Sequence, residues 1–83
     1  MHLIRVEPFG DGWALSLDGV AEPQIFRSGR AAEKAARAMG ERLARAGDTS
    51  EISIFLRDGS RAAHFVCAPQ RPDGRDAGGL RPT

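Results

Sequence analysis

His64 and Cys67 are the residues whose types could make a nucleophile and its base, since an imidazole that takes a thiol proton leaves a reactive thiolate. They stand three apart in a stretch that reads as a strand, which sends their side chains to opposite faces unless a bulge intervenes. Cys67 shares its parity with Ala63 and Phe65, so it reads as a buried structural cysteine at the end of the core face. Metal ligation would have to pool His2, His64 and Cys67. Zinc takes three or four ligands at short, characteristic spacings, and the chain has neither Cys-x-x-Cys nor His-x-x-x-His. Gly10-Asp11-Gly12 could begin a dinucleotide fingerprint, but the place of its third glycine is Leu15, inside a strand pattern, so this is a tight turn. No catalytic, cofactor-binding or metal residue is assigned, no cofactor is expected, and an enzyme is not expected.

Two surfaces remain. Arg30, Lys34 and Arg37 are spaced by four and three, and with Arg27 just ahead they form a basic helical stripe. From Ser28 to Gly47 there are five basic and two acidic residues, a local charge of +3. Such a stripe could hold nucleic-acid phosphates without sequence preference. Against it, Glu33 to Arg37 and Glu41 to Arg45 are in the favourable i,i+4 order, which describes a solvated helix face. The second surface is a sheet face carrying Leu3, Phe55, Arg57, His64 and Val66, which a single helix could not cover. Exposed apolar clusters mark interfaces, so self-association there is the leading expectation, with nucleic acid as the alternative partner. One Phe and no Tyr make a poor stacking platform for bases.

The elements that must position these residues follow from periodicity. Ile4 and Val6 alternate with Arg5 and Glu7, and Trp13, Leu15 and Leu17 line one face of a second strand. A two-residue turn at Gly10-Asp11 sets Val6 opposite Leu15 and Ile4 opposite Leu17. A short third strand is expected over 24–27, after Pro23. Ser28 is a good N-cap and Gly47 suits the position just past the helix end. Between them Ala32, Ala35, Ala36, Met39, Leu43 and Ala46 make one apolar stripe. Ile52 to Phe65 reads as a hairpin with Asp58-Gly59 as its loop, which places Ile54 against Ala63 and Ile52 against Phe65. Trp13, Leu15, Met39, Leu43, Ile54 and Phe65 are the expected core.

The 83 residues make one small domain, with a net stability of roughly 3–5 kcal/mol. That margin favours self-association or a bound partner. A net charge of +1 lacks the basic excess of a dedicated nucleic-acid binder. Eleven Arg, one Lys and thirteen Ala are the usage of a GC-rich genome. The lone cysteine cannot form an internal disulfide, Arg5 interrupts the first apolar residues before they could make a signal peptide, and no window approaches a membrane span. A cytoplasmic protein with no membrane association is expected. Residues 1–68 form the domain, and 69–83, crowded with Pro and Gly and without apolar periodicity, are expected to be a disordered tail.

Trp13-x-Leu15, then Phe26-x-Ser28, then the helix segment from Ala32 to Arg37, then a strand and Asp58-Gly59 resemble a family of small bacterial proteins of unknown function. The likeness covers roughly residues 10–66 and rests on core aromatics, a cap and turns. The early strand at 2–8 and the longer loop between helix and strand depart from the pattern. The resemblance implies the fold and no catalytic residue. The expected architecture is α+β: a small antiparallel sheet with one helix on one face, in the order β-β-(β)-α-β-β.

Overall fold

A computed structural model describes residues 1–69, so most of the expected tail lies outside the described residues. The order of elements is the expected one: β1 (His2–Phe9), β2 (Gly12–Leu17), β3 (Gln24–Phe26), α1 (Gly29–Arg45), β4 (Ser50–Phe55) and β5 (Arg61–Cys67). They form a five-stranded sheet in the order β3-β2-β1-β4-β5, with α1, the one helix among the described residues, packed against it. The fold is α+β, but the sheet is mixed rather than antiparallel throughout. β1 and β4 run parallel at its centre, while β1–β2, β2–β3 and β4–β5 are antiparallel. The direction follows from counting reversals. Two antiparallel junctions return β3 to the heading of β1. The helix runs back, and β4 then enters along the free edge of β1 with the same heading.

The expected pairings across both hairpins hold. Val6 faces Leu15 and Ile4 faces Leu17; Ile54 faces Ala63 and Ile52 faces Phe65. The second hairpin turns differently from expectation. The Gly59 amide donates to the Leu56 carbonyl at 2.9 Å, and Gly59 has φ +89°, a left-handed conformation that a side chain would resist. The loop is therefore Arg57-Asp58-Gly59, three residues rather than two, closed by a Leu56 amide to Ser60 carbonyl bond of 2.8 Å. An irregularity between Ile54 and Phe55 leaves Ala62 without a partner and takes up the difference, so the inner register survives.

Ser28 caps α1, its hydroxyl accepting from the Ala31 amide at 3.1 Å. At the other end the Gly47 amide donates to Ala44 and the Asp48 amide to Leu43, a Schellman closure in which Gly47 holds the expected place. The helix line that meets the sheet is Ala32, Ala36, Gly40 and Ala44, all buried. Ala35, Met39 and Leu43 pack from the flank, and Ala46 is the exposed C-cap rather than part of the stripe. The smallness of the inner line brings the helix backbone close to the sheet. A Cβ built on Gly40 would stand 2.7 Å from Cys67 Sγ and 3.2 Å from Ile52 Cδ1. The core centre is accordingly Ile4, Val6, Leu15, Ile52 and Ile54. Of the expected core, Leu15 and Ile54 are buried, whereas Trp13, Met39, Leu43 and Phe65 are only partly buried around the rim. Ser50 is fully buried, and its hydroxyl has no hydrogen-bond partner among the described residues. No helix among the described residues is long and apolar enough to cross a membrane.

Candidate binding face

Because α1 covers one face of the sheet, the other is built by the alternate residues of the strands. Their registers stack into rows. Leu3 lies beside Glu51, and Glu51 beside Val66. The next row is Ser16, Arg5, Ser53 and His64. In the third, Glu7 faces Ala14 and Ala14 faces Ile25, with Phe55 at the end of β4. Leu3 is 52% exposed and Val66 58%, so the first row carries two uncovered aliphatic side chains on either side of a carboxylate.

Charge occupies the middle of the face. The Arg5 guanidinium sits 4.5 Å from the centroid of the Phe55 ring, and its Nε lies 3.6 Å from Glu7 Oε1. His64 Nε2 lies 3.3 Å from Glu51 Oε1 across neighbouring strands. Phe55 is half-buried, with Arg5 over it. The exposed apolar character of this surface lies at its margins, at Leu3 and Val66 in the first row and at Phe9 and Ile25 toward the turn end and the β3 edge. The centre holds the Arg5–Glu7 ion pair and the His64–Glu51 polar contact between partly exposed groups, each worth little on its own.

Four of the five sequence-selected interface residues, Leu3, Phe55, His64 and Val66, lie on this face. Arg57 does not alternate with them, because the three-residue loop takes it out of the strand. Its Nη1 reaches across to the Gly10 carbonyl in the β1–β2 turn, donating at 3.3 Å. There it joins Arg5, Glu7, Pro8, Phe55 and Leu56 around a shallow depression of about 380 Å³ at the turn end of the face. A second hollow of about 230 Å³ lies toward the other end, between Leu3, Arg5, Glu51 and Phe55. Arg5, Glu7 and Glu51 are the residues the sequence reading left out of the site. The parity of Arg5 and Glu7 was visible in the alternation with Ile4 and Val6. What no local pattern carries is the adjacency of β1 and β4 that sets Arg5 over Phe55.

The basic stripe is less continuous than its spacing suggests. Arg37 donates from Nε at 3.1 Å and Nη2 at 3.0 Å to Glu33 Oε2, and its Cζ lies 4.0 Å from the centroid of the Phe65 ring. Arg30 and Lys34 line a shallow hollow with this pair. Arg27 sits elsewhere, beside Asp11, Ile25 and Phe26. Glu41 and Arg45 form no bridge like that of Glu33 and Arg37 among the described residues.

His64 and Cys67 fall on opposite faces, His64 against Glu51 and Cys67 under the helix near Gly40. His2 divides its ring nitrogens between two carboxylates, Nδ1 3.9 Å from Asp18 and Nε2 3.4 Å from Asp48, so it ties two loops together instead of converging on a point. Among the described residues no three His, Cys, Asp or Glu side chains gather around a common centre. No family of known proteins, no curated protein and no solved structure matches this chain.

Proposed function

We propose that this protein is a non-enzymatic interaction module that associates with a second copy of itself through the open face of its sheet. The observation that carries this reading is the row of Leu3, Glu51 and Val66, where two uncovered aliphatic side chains lie on a face over which no described residue packs. A second copy is favoured as occupant by the distribution of charge. The face holds Arg5 between Glu7 and Glu51, both signs within one surface. A two-fold rotation can therefore set the carboxylates of one copy against the guanidinium of the other while the aliphatic ends meet. A small domain gains disproportionately from such pairing, because association adds to folding stability by mass action.

The test is sedimentation equilibrium of the wild type and Val66→Glu. The wild type is expected to dimerise. Val66→Glu places a carboxylate in the interface and beside Glu51, so it is expected to remain monomeric with an unchanged circular-dichroism spectrum. A wild type that stays monomeric at high concentration overturns the reading. Salt-sensitive binding of single-stranded nucleic acid that requires Arg30 and Lys34 would put the basic helix surface in its place.

A further inference from the structure

We infer that the depression at the turn end of the open face is a binding site for a nucleoside monophosphate. Its volume of about 380 Å³ falls within the range of small-ligand sites, roughly 300–1,000 Å³. Two guanidiniums and one carboxylate line it, an excess of one positive charge that selects an anionic head. Arg57 is the head's anchor. One of its N–H groups is spent on the Gly10 carbonyl, which holds the side chain across the turn and leaves the rest of its fork for phosphate oxygens.

Arg5 supplies a different surface. Phe55 backs its guanidinium on one side, and its side chain is 56% exposed, so the outward side offers a flat, charged plane. Guanidinium planes of this kind stack on nucleobases. Glu7, 3.6 Å from Arg5 Nε and itself 42% exposed, is an acceptor beside that plane for a base amino group or a ribose hydroxyl. Pro8 and Leu56 complete the depression with apolar surface. A phosphate at Arg57, a flat body on Arg5 and a donor to Glu7 are together the chemistry of a nucleotide, whether free or at the end of a single strand. Arg5 and Glu7 also belong to the face proposed for self-association, so pairing of two copies would compete for them, and the titration is made on Val66→Glu as well as on the wild type.

The experiment is an NMR titration of the full chain with adenosine monophosphate, adenosine, inorganic phosphate and a short single-stranded oligonucleotide carrying a terminal phosphate. Adenosine monophosphate is expected to saturate by about 1 mM and to shift the signals of Arg5, Glu7, Phe55 and Arg57. Adenosine and inorganic phosphate alone are each expected to bind roughly tenfold more weakly, as each forfeits one half of the contacts. Arg57→Gln and Arg5→Gln, at exposed positions that leave the fold intact, should each weaken binding by roughly tenfold or more, whereas Arg30→Gln on the helix should not change it. Tighter binding of the oligonucleotide than of the mononucleotide would identify a strand end as the source of the same chemistry. No saturable binding of either, binding indifferent to both Arg57→Gln and Arg5→Gln, or inorganic phosphate binding as tightly as adenosine monophosphate would overturn the assignment. Because Val66→Glu leaves the depression intact, failure of the dimer and failure of this site are read separately.

Discussion

Gly40 shows how one residue sets the spacing of the layers. It lies in mid-helix, where glycine costs about 1 kcal/mol against alanine, yet it is buried between Cys67, Ile52 and Ser50. An added methyl would meet Cys67 Sγ at 2.7 Å and Ser50 Oγ at 3.3 Å. Gly40→Ala is therefore expected to lower the melting temperature despite its better helix propensity, since overpacking costs roughly 1–3 kcal/mol. Combining it with Cys67→Ala, which removes the nearest atom, should recover much of the loss as a favourable coupling in a double-mutant cycle. A melting temperature raised by Gly40→Ala alone would mean that the helix does not approach this closely. Little of this was legible in the sequence. A pattern that scores hydrophobicity passes over glycine and weights Met39 and Leu43, so the expected stripe joined Ala32 and Ala36 to the flank and missed Gly40 and Ala44. The buried line at Ala32, Ala36, Gly40 and Ala44 is defined by how little room it takes.

Among the elements, the β4–β5 hairpin carries the clearest electrostatic signature. The Asp58 carboxylate accepts from the Ser60 hydroxyl at 2.6 Å and from the Ser60 amide at 2.9 Å. Hydrogen bonds to the charged form, that of the Ser60 side chain first, hold its pKa below the ordinary 3.8. A carboxyl whose folded pKa is depressed contributes its stability in full above about pH 4 and loses it as pH falls through the lower folded value. The hairpin loop should therefore loosen only in acid. Ser60→Ala, which keeps the amide bond and removes the hydroxyl bond, should move the Asp58 titration up toward 3.8, measurable from carboxyl carbon shifts. A curve unchanged by the substitution would show that the hydroxyl bond does not form in solution. Hairpin registers were legible because strand parity repeats every two residues, so that any slip by one would turn Ile52 and Ile54 outward. The loop length was not. Asp58-Gly59 signals a two-residue turn by composition, and the Leu56–Ser60 closure with the leftover Ala62 on the partner strand shows that a third residue, Arg57, joined it. That single difference moved Arg57 from the sheet face to the depression beside Gly10.

For the whole molecule, the order β3-β2-β1-β4-β5 places β1 and β4, which carry the fully buried Ile4, Val6 and Ile52, side by side and leaves β3 and β5 at the edges. Native-state hydrogen exchange should follow this order. The amides of Ile4, Val6, Ile52 and Ile54 are expected to exchange last, by global unfolding, and those of β3 first, through local opening. Slowest exchange in β2 or β5 would contradict the central place of the parallel pair. Strand headings could be counted from the reversals in the chain, but which strand becomes whose neighbour rests on contacts between residues far apart in sequence, about which local patterns are silent. That long-range pairing has a consequence during synthesis. β1 leaves the ribosome well before its second partner β4, residues 50–55, which follows only after the whole helix. At roughly 5–20 residues per second, one edge of an apolar strand stays unsatisfied for seconds in every nascent chain. Protection of that edge in the interval, by a holding chaperone or by the slope of α1 already folding over Ile4 and Val6, would govern how much of the newly made protein reaches its final form.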